Sequence, residues 1–74
     1  MRELQLTRSA EGLTLQAAVQ LAGFADSGGG AKRLIQGGEI LLNGAVELRR
    51  SHLVHVGDLV AYEGDEVELI ADDH

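Results

Sequence analysis

Apolar side chains recur along this chain at a helical spacing in its first half and in alternation after residue 39, so two kinds of element are expected in turn. Residues 3–7 (Glu-Leu-Gln-Leu-Thr) alternate polar and apolar positions and read as a short leading strand. Leu15, Ala18, Val19 and Ala22 then form one stripe, which predicts a helix over residues 15–22. Thr14 is placed to cap its start, and Gly23 sits just past its end. Asp26-Ser27-Gly28-Gly29-Gly30 reads as a turn, with Ser27 capping a second helix. At about 100° per residue, Ala31, Leu34 and Ile35 share one face of that helix, and Lys32, Arg33 and Gln36 share the other. Gly37-Gly38 stops it.

The alternating half divides into short strands. Residues 39–42 form one, and Asn43-Gly44 is a hairpin signal because both central residues of a type I′ turn need positive φ. Residues 45–48 return as the partner strand. Residues 53–56 are a further apolar run, after which Gly57-Asp58 turns the chain into residues 59–62. Gly64-Asp65 is a second tight-turn candidate leading to residues 67–71, and Asp72-Asp73-His74 reads as a frayed end. The pattern predicts an α+β fold, with two helices packed on one face of a small, twisted, mostly antiparallel sheet. It fits one domain over residues 1–74, because chains divide only when they outgrow a single core.

Composition narrows the chemistry. The only aromatics are Phe24 and Tyr62, so the core is expected to be Leu, Val, Ile and Ala. With no cysteine, disulfide scaffolds, thiolate metal sites and cysteine nucleophiles are excluded, and a cytoplasmic setting is expected. No apolar run reaches the roughly 18 residues of a membrane span. Residues 13–25 start too late for a secretion signal and are interrupted by Gln16 and Gln20. A net charge of −6 argues at first against nucleic acid as a partner. Its distribution removes that objection. All six basic residues (Arg2, Arg8, Lys32, Arg33, Arg49, Arg50) lie within residues 1–50, beside five acids, for a local charge of +1. Residues 51–74 hold the other seven acids and no Lys or Arg.

A catalytic reading finds little to build on, and a non-enzymatic chain with no cofactor and no metal is expected. The histidines (His52, His55, His74) and hydroxyls form no nucleophile signature, and so short a chain has little room for a pocket. In an alternating context, His52 and His55 fall on opposite sides of a strand, which disfavours a metal pair. The run Gly28-Gly29-Gly30-Ala31-Lys32 lacks the Gly-Lys-Ser/Thr ending of a nucleotide-hydrolase loop and follows a helix rather than a strand. Beside a helix N-terminus, however, it permits close approach of an anion, with Lys32 one turn on. The adjacent Arg49-Arg50 follows the first hairpin. If that hairpin folds back beside the second helix, Lys32, Arg33, Arg49 and Arg50 border one surface suited to phosphates. Exposed aromatics for base stacking are lacking, so recognition would rest on shape and backbone.

Thr14-Leu15, Ala22-Gly23, Ser27-Gly28-Gly29, Ala31-Lys32, Ile35, Gly38, Asn43-Gly44, Val46-Glu47, Arg49-Arg50 and Gly57-Asp58 follow one another in an order and spacing that carry a resemblance. The chain resembles the RNA-binding domain named after ribosomal protein S4, also called the alpha-L RNA-binding motif, over about residues 13–60. It is most similar to the small stand-alone bacterial members. The resemblance implies two helices followed by a small sheet, and binding of structured RNA, ribosomal or transfer RNA in type. Carried over by position, it implicates Ser27, Lys32 and Arg33 at the second helix and Arg49 and Arg50 after the hairpin. Gln20 stands where such members often carry Lys, and Ser51-His52-Leu53 where they carry Gly and basic residues, so charge is reduced on the implied surface. A ribosome-associated monomer that binds RNA is the leading expectation. The alternative is an adaptor whose acidic C-terminal half docks a basic ribosomal or RNA-processing protein.

Overall fold

A computed structural model describes residues 2–6 and 13–71 of the chain. Thr7, placed above at the end of the first strand, Arg8 and the chain end at residues 72–74 lie outside the described residues. The elements in order are β1 (Arg2–Leu6), α1 (Leu15–Leu21), α2 (Gly28–Gln36), β2 (Ile40–Leu42), β3 (Ala45–Val46), β4 (Leu59–Tyr62) and β5 (Asp65–Ala71). The strands form a sheet ordered β1-β5-β4-β2-β3. Its β3–β2, β2–β4 and β4–β5 pairings are antiparallel, and β1 lies parallel to β5 at one edge. This is the α+β architecture that the switch in hydrophobic period predicts.

Both helices start and stop on chemistry written into the sequence. The Thr14 hydroxyl accepts from the Ala17 N–H, and the Ser27 hydroxyl accepts from the Gly30 N–H. Each helix closes with the same pair of bonds: Phe24 N–H to the Val19 carbonyl and Gly23 N–H to Gln20, then Glu39 N–H to Leu34 and Gly38 N–H to Ile35. That closure needs a left-handed residue, and Gly23 (φ 82°) and Gly38 (φ 77°) supply it.

One core joins the two layers. Leu15, Ala18 and Val19 of α1 and Ala31 and Ile35 of α2 pack with Ile40, Val60 and Leu69 of the sheet and with Val54. All are essentially inaccessible to solvent, and only aliphatic side chains make up this centre. Phe24 and Tyr62 pack at its margin with ring centroids 5.7 Å apart and tilted by 55°. Both helices therefore lie on the sheet face that Ile40, Val60 and Leu69 present, and the alternate strand residues face the other way.

The first hairpin turns at Asn43 (φ 54°) and Gly44, as the Asn-Gly signal predicts, and pairs Leu42 with Ala45. The second turn falls one residue earlier than Gly64-Asp65. Glu63 (φ 50°) and Gly64 occupy it, and Tyr62 pairs with Asp65. Register decides the matter. This pairing sets Val60 opposite Val67 with both buried, and a one-residue slip would turn Val67 and Leu69 out of the core. Core burial outweighs the preference against positive φ at Glu63.

Two other expectations are corrected. The strand expected over residues 45–48 ends at Val46, because the Glu47 carboxylate turns back to accept from the Arg49 N–H. Residues 53–56 join no strand; only Leu53 makes an isolated bridge, to Thr14. His52 and His55 therefore do not alternate across a strand. Each faces its own carboxylate, Glu47 for His52 and Asp58 for His55.

The irregular stretch between β3 and β4 is anchored at its far end to the first hairpin turn. Asn43 Nδ2 donates to Asp58 Oδ1 (3.1 Å), and Asn43 Oδ1 accepts from the Leu59 N–H (2.9 Å). In its middle, the carbonyls of Arg50 and His52 accept from the N–H groups of Gln16 and Leu15.

Candidate nucleic-acid interface

The basic residues singled out in the sequence are distributed over α2 and the stretch after β3. Lys32 and Arg33 lie exposed on α2, and neither has a carboxylate partner among the described residues. Lys32 stands four residues beyond Gly28, so it rises one turn above it on the same flank of the helix. Arg33 is in the last turn, where a cation is favoured by the helix dipole.

The hairpin's return strand approaches the chain just past the C-terminal end of α2. A Cβ at Gly38, just past the C-terminal end of the helix, would lie 3.8 Å from Val46 and 3.9 Å from Leu48. At the other end of α2, Arg50 Nη1 donates to Gln16 Oε1 (3.2 Å), and Gln16 Nε2 donates to the Gly28 carbonyl (3.2 Å). Gln16 thus couples the Arg50 guanidinium to the opening turn of α2. The bridge leaves the remaining guanidinium N–H groups of Arg50 for other acceptors.

Ser27 serves the same turn. Its hydroxyl takes the Gly30 N–H, while the N–H groups of Gly28 and Gly29 have no acceptor among the described residues. Gly29 is open, with no atom within 4 Å of where a Cβ would stand. Two N–H groups without acceptors among the described residues, at the positive end of a helix dipole and linked through Gln16 to Arg50, suit an anionic oxygen.

Arg49 is placed differently from its neighbour. Its Nε and Nη2 donate to Glu47 (3.3 and 3.4 Å), and His52 Nδ1 stands 3.6 Å from the same carboxylate. Hydrogen bonds from the Arg49 N–H and then its guanidinium hold the Glu47 carboxyl below its usual range. One carboxylate therefore offsets the Arg49 charge locally. The structure brings Arg50 and Ser27 to one end of α2 and ties Arg49 to Glu47.

Sequence reasoning missed Gln16 as a structural link. Gln16 and Gln20 are one turn apart on α1, and both approach the position a Cβ of Gly28 would occupy, at 3.0 and 3.9 Å. Two polar residues at helical spacing next to a buried stripe were the available signal. Glu47 was likewise read as part of a motif and not as the partner of Arg49.

Four of the acids lie apart from these basic residues in the sheet order, while Asp26 and Glu47 stand beside them. Glu63, Asp65, Glu66 and Glu68 belong to the β4–β5 hairpin, and β4 and β2 stand between β5 and β3. Among the described residues, no helix is long and apolar enough to cross a membrane.

Comparison with known proteins identifies the family of the chain. Over 53 residues the chain is 34% identical to “Putative RNA-binding protein YbcJ” of Escherichia coli (strain K12), which covers 72% of this chain and 76% of that protein. An “Uncharacterized protein YbcJ” of Shigella flexneri matches with the same identity and coverage. The model of the S4 domain matches residues 6–70, nearly the whole of the chain. Two capped helices, an Asn-Gly hairpin that follows the second, and this match lead to one assignment: the chain belongs to the S4 domain family.

Proposed function

We propose that this protein is a non-catalytic module that binds structured RNA, ribosomal or transfer RNA in type, through backbone phosphates and shape. Its interface is the opening turn of α2 and the stretch after β3, with Ser27, Lys32, Arg33, Arg49 and Arg50 as the contacting residues. The observation that carries the reading is the Arg50–Gln16–Gly28 link, which fixes an arginine beside two N–H groups lacking acceptors among the described residues. Family membership and the YbcJ name support it. In this reading Arg50 and the Gly28 and Gly29 N–H groups grip one phosphate, and Lys32 and Arg33 attract its neighbours along the strand. Arg49 contributes once the phosphate competes with Glu47 for its guanidinium. Lacking an exposed aromatic platform, the surface selects folded RNA by the spacing of its phosphates rather than by stacked bases.

Titrating the full chain with a transfer-RNA transcript and with a ribosomal RNA helix at several salt concentrations tests this. Lys32, Arg33 and Arg50 lack carboxylate partners among the described residues, so about three phosphates are neutralised. Log K against log salt should then slope at about −2 to −3. Replacing both arginines (R49E with R50E) should abolish binding with the circular dichroism and melting transition retained. A folded double variant with undiminished affinity overturns the assignment.

A further inference from the structure

The sheet face turned away from the helices carries a pattern that the RNA reading does not use. Strand alternation places Val46, Leu41, Ala61 and Glu66 in one row across β3, β2, β4 and β5. The next row holds Leu59, Glu68 and Glu3 across β4, β5 and β1. Each belongs to the register opposite that of the buried Ile40, Val60, Val67 and Leu69, so these rows face away from the core. Val46 is 54% exposed and Leu41 36%, and neither helix covers them. This face is apolar on β3, β2 and β4, and on β5 and β1 it carries Glu66, Glu68 and Glu3 beside Ile70.

The acidic part is electrostatically unresolved. Glu3 and Glu68 are direct cross-strand neighbours, a like-charge pairing that destabilises a sheet. None of Glu3, Glu66 and Glu68 has a cationic partner among the described residues. An apolar row ending on carboxylates with no cation beside them among the described residues is complementary to a polypeptide that presents apolar side chains beside Lys or Arg. RNA is the wrong occupant, because its phosphates would meet these carboxylates. A second copy paired about a two-fold axis through the acidic part would set carboxylate against carboxylate.

We infer that this outer sheet face, turned away from the helices, docks a basic, apolar segment of a partner protein. The inference stands on the sheet alone and does not require the RNA reading. The protein would then hold RNA with its helices and a basic polypeptide with its sheet.

Amide shifts of the isotopically labelled full chain, titrated with a peptide alternating lysine and valine, test this; a glutamate–valine peptide is the control. Saturable shifts at Leu41, Ala61, Glu66 and Glu68, with the amides of residues 27–33 unmoved, are expected. The charge reversal E66K with E68K should weaken the lysine peptide at least about tenfold and leave RNA affinity undiminished. Should that variant fail to fold, V46S, at a half-exposed edge position, should still weaken the peptide about threefold, roughly the loss of one apolar contact. Shifts confined to α2, equal affinity for the glutamate peptide, or absence of saturable binding overturn the proposal. So does concentration-dependent self-association that buries the same residues, seen by sedimentation. Because RNA affinity is read separately, failure here and failure of the RNA reading are distinguishable.

Discussion

The two helices begin in opposite ways. At the start of α1 the N–H groups of Leu15, Gln16 and Ala17 are consumed within the protein, by the carbonyls of His52 and Arg50 and by the Thr14 hydroxyl. At the start of α2 only Gly30 is served, by Ser27, and Gly28 and Gly29 have no acceptor among the described residues. Every helix begins with orphan donors, and what becomes of them separates a structural end from an end left open to a ligand. The sequence around each follows suit. Leu15, Gln16 and Ala17 fill the first turn with side chains, while three glycines strip the second of everything but backbone.

The sharpest way to break this comparison is to block the open end. Gly29→Glu places a carboxylate in free space at the N-terminus of α2, where it favours the helix. Stability should rise by about 0.5–1 kcal/mol as a helical glycine is removed, while RNA affinity falls at least about tenfold. Thermal unfolding and binding on one preparation read both signs, and unchanged affinity would remove this turn from the interface. At the closed end, Thr14→Ala should do the reverse. It costs about 1 kcal/mol, seen as a melting temperature lower by roughly 4–8 °C. Gln16 belongs to both ends, and Gln16→Ala should weaken RNA by about threefold. The loss should be less than additive with Arg50→Ala if Gln16 acts by holding that arginine, and full additivity would separate the two.

The smallest effect concerns Arg49, which lies next to Arg50 but is paired. Because Glu47 titrates below its usual range in the folded protein, its contribution is present above the ordinary carboxylate range and is lost as pH falls through the lowered value. Glu47→Gln should therefore flatten the acid side of the stability profile. It should also leave Arg49 free for phosphate, so that RNA affinity holds or rises.

Local signals carried much of this fold. The caps at Thr14 and Ser27, the buried stripes of both helices and the Asn43-Gly44 turn depend on residues within a few positions of each other, and each is legible along the chain. Where the outcome depends on distant partners, the pattern fell short. The second turn is set by the opposition of Val60 and Val67, and local preference pointed one residue away. The parallel pairing of β1 with β5 joins opposite ends of the described chain and leaves no local mark. At the candidate site, the residue types were visible but their partners were not. Nothing in Arg49-Arg50 distinguishes a side chain held by Glu47 from one held by Gln16, a residue 34 positions away.

The Asn43–Asp58 bond bears on these arginines in another way. It joins residues 15 apart, and both arginines lie between them. The segment is thus a closed ring, pinned also at Arg50 and His52 to the start of α1. Closing a ring of this length costs chain entropy, on the order of 2–3 kcal/mol for its length-dependent part. That cost is met when the protein folds, before any ligand arrives. A partner therefore meets arginines whose backbone has already given up its freedom, and binding has only the side chains left to order.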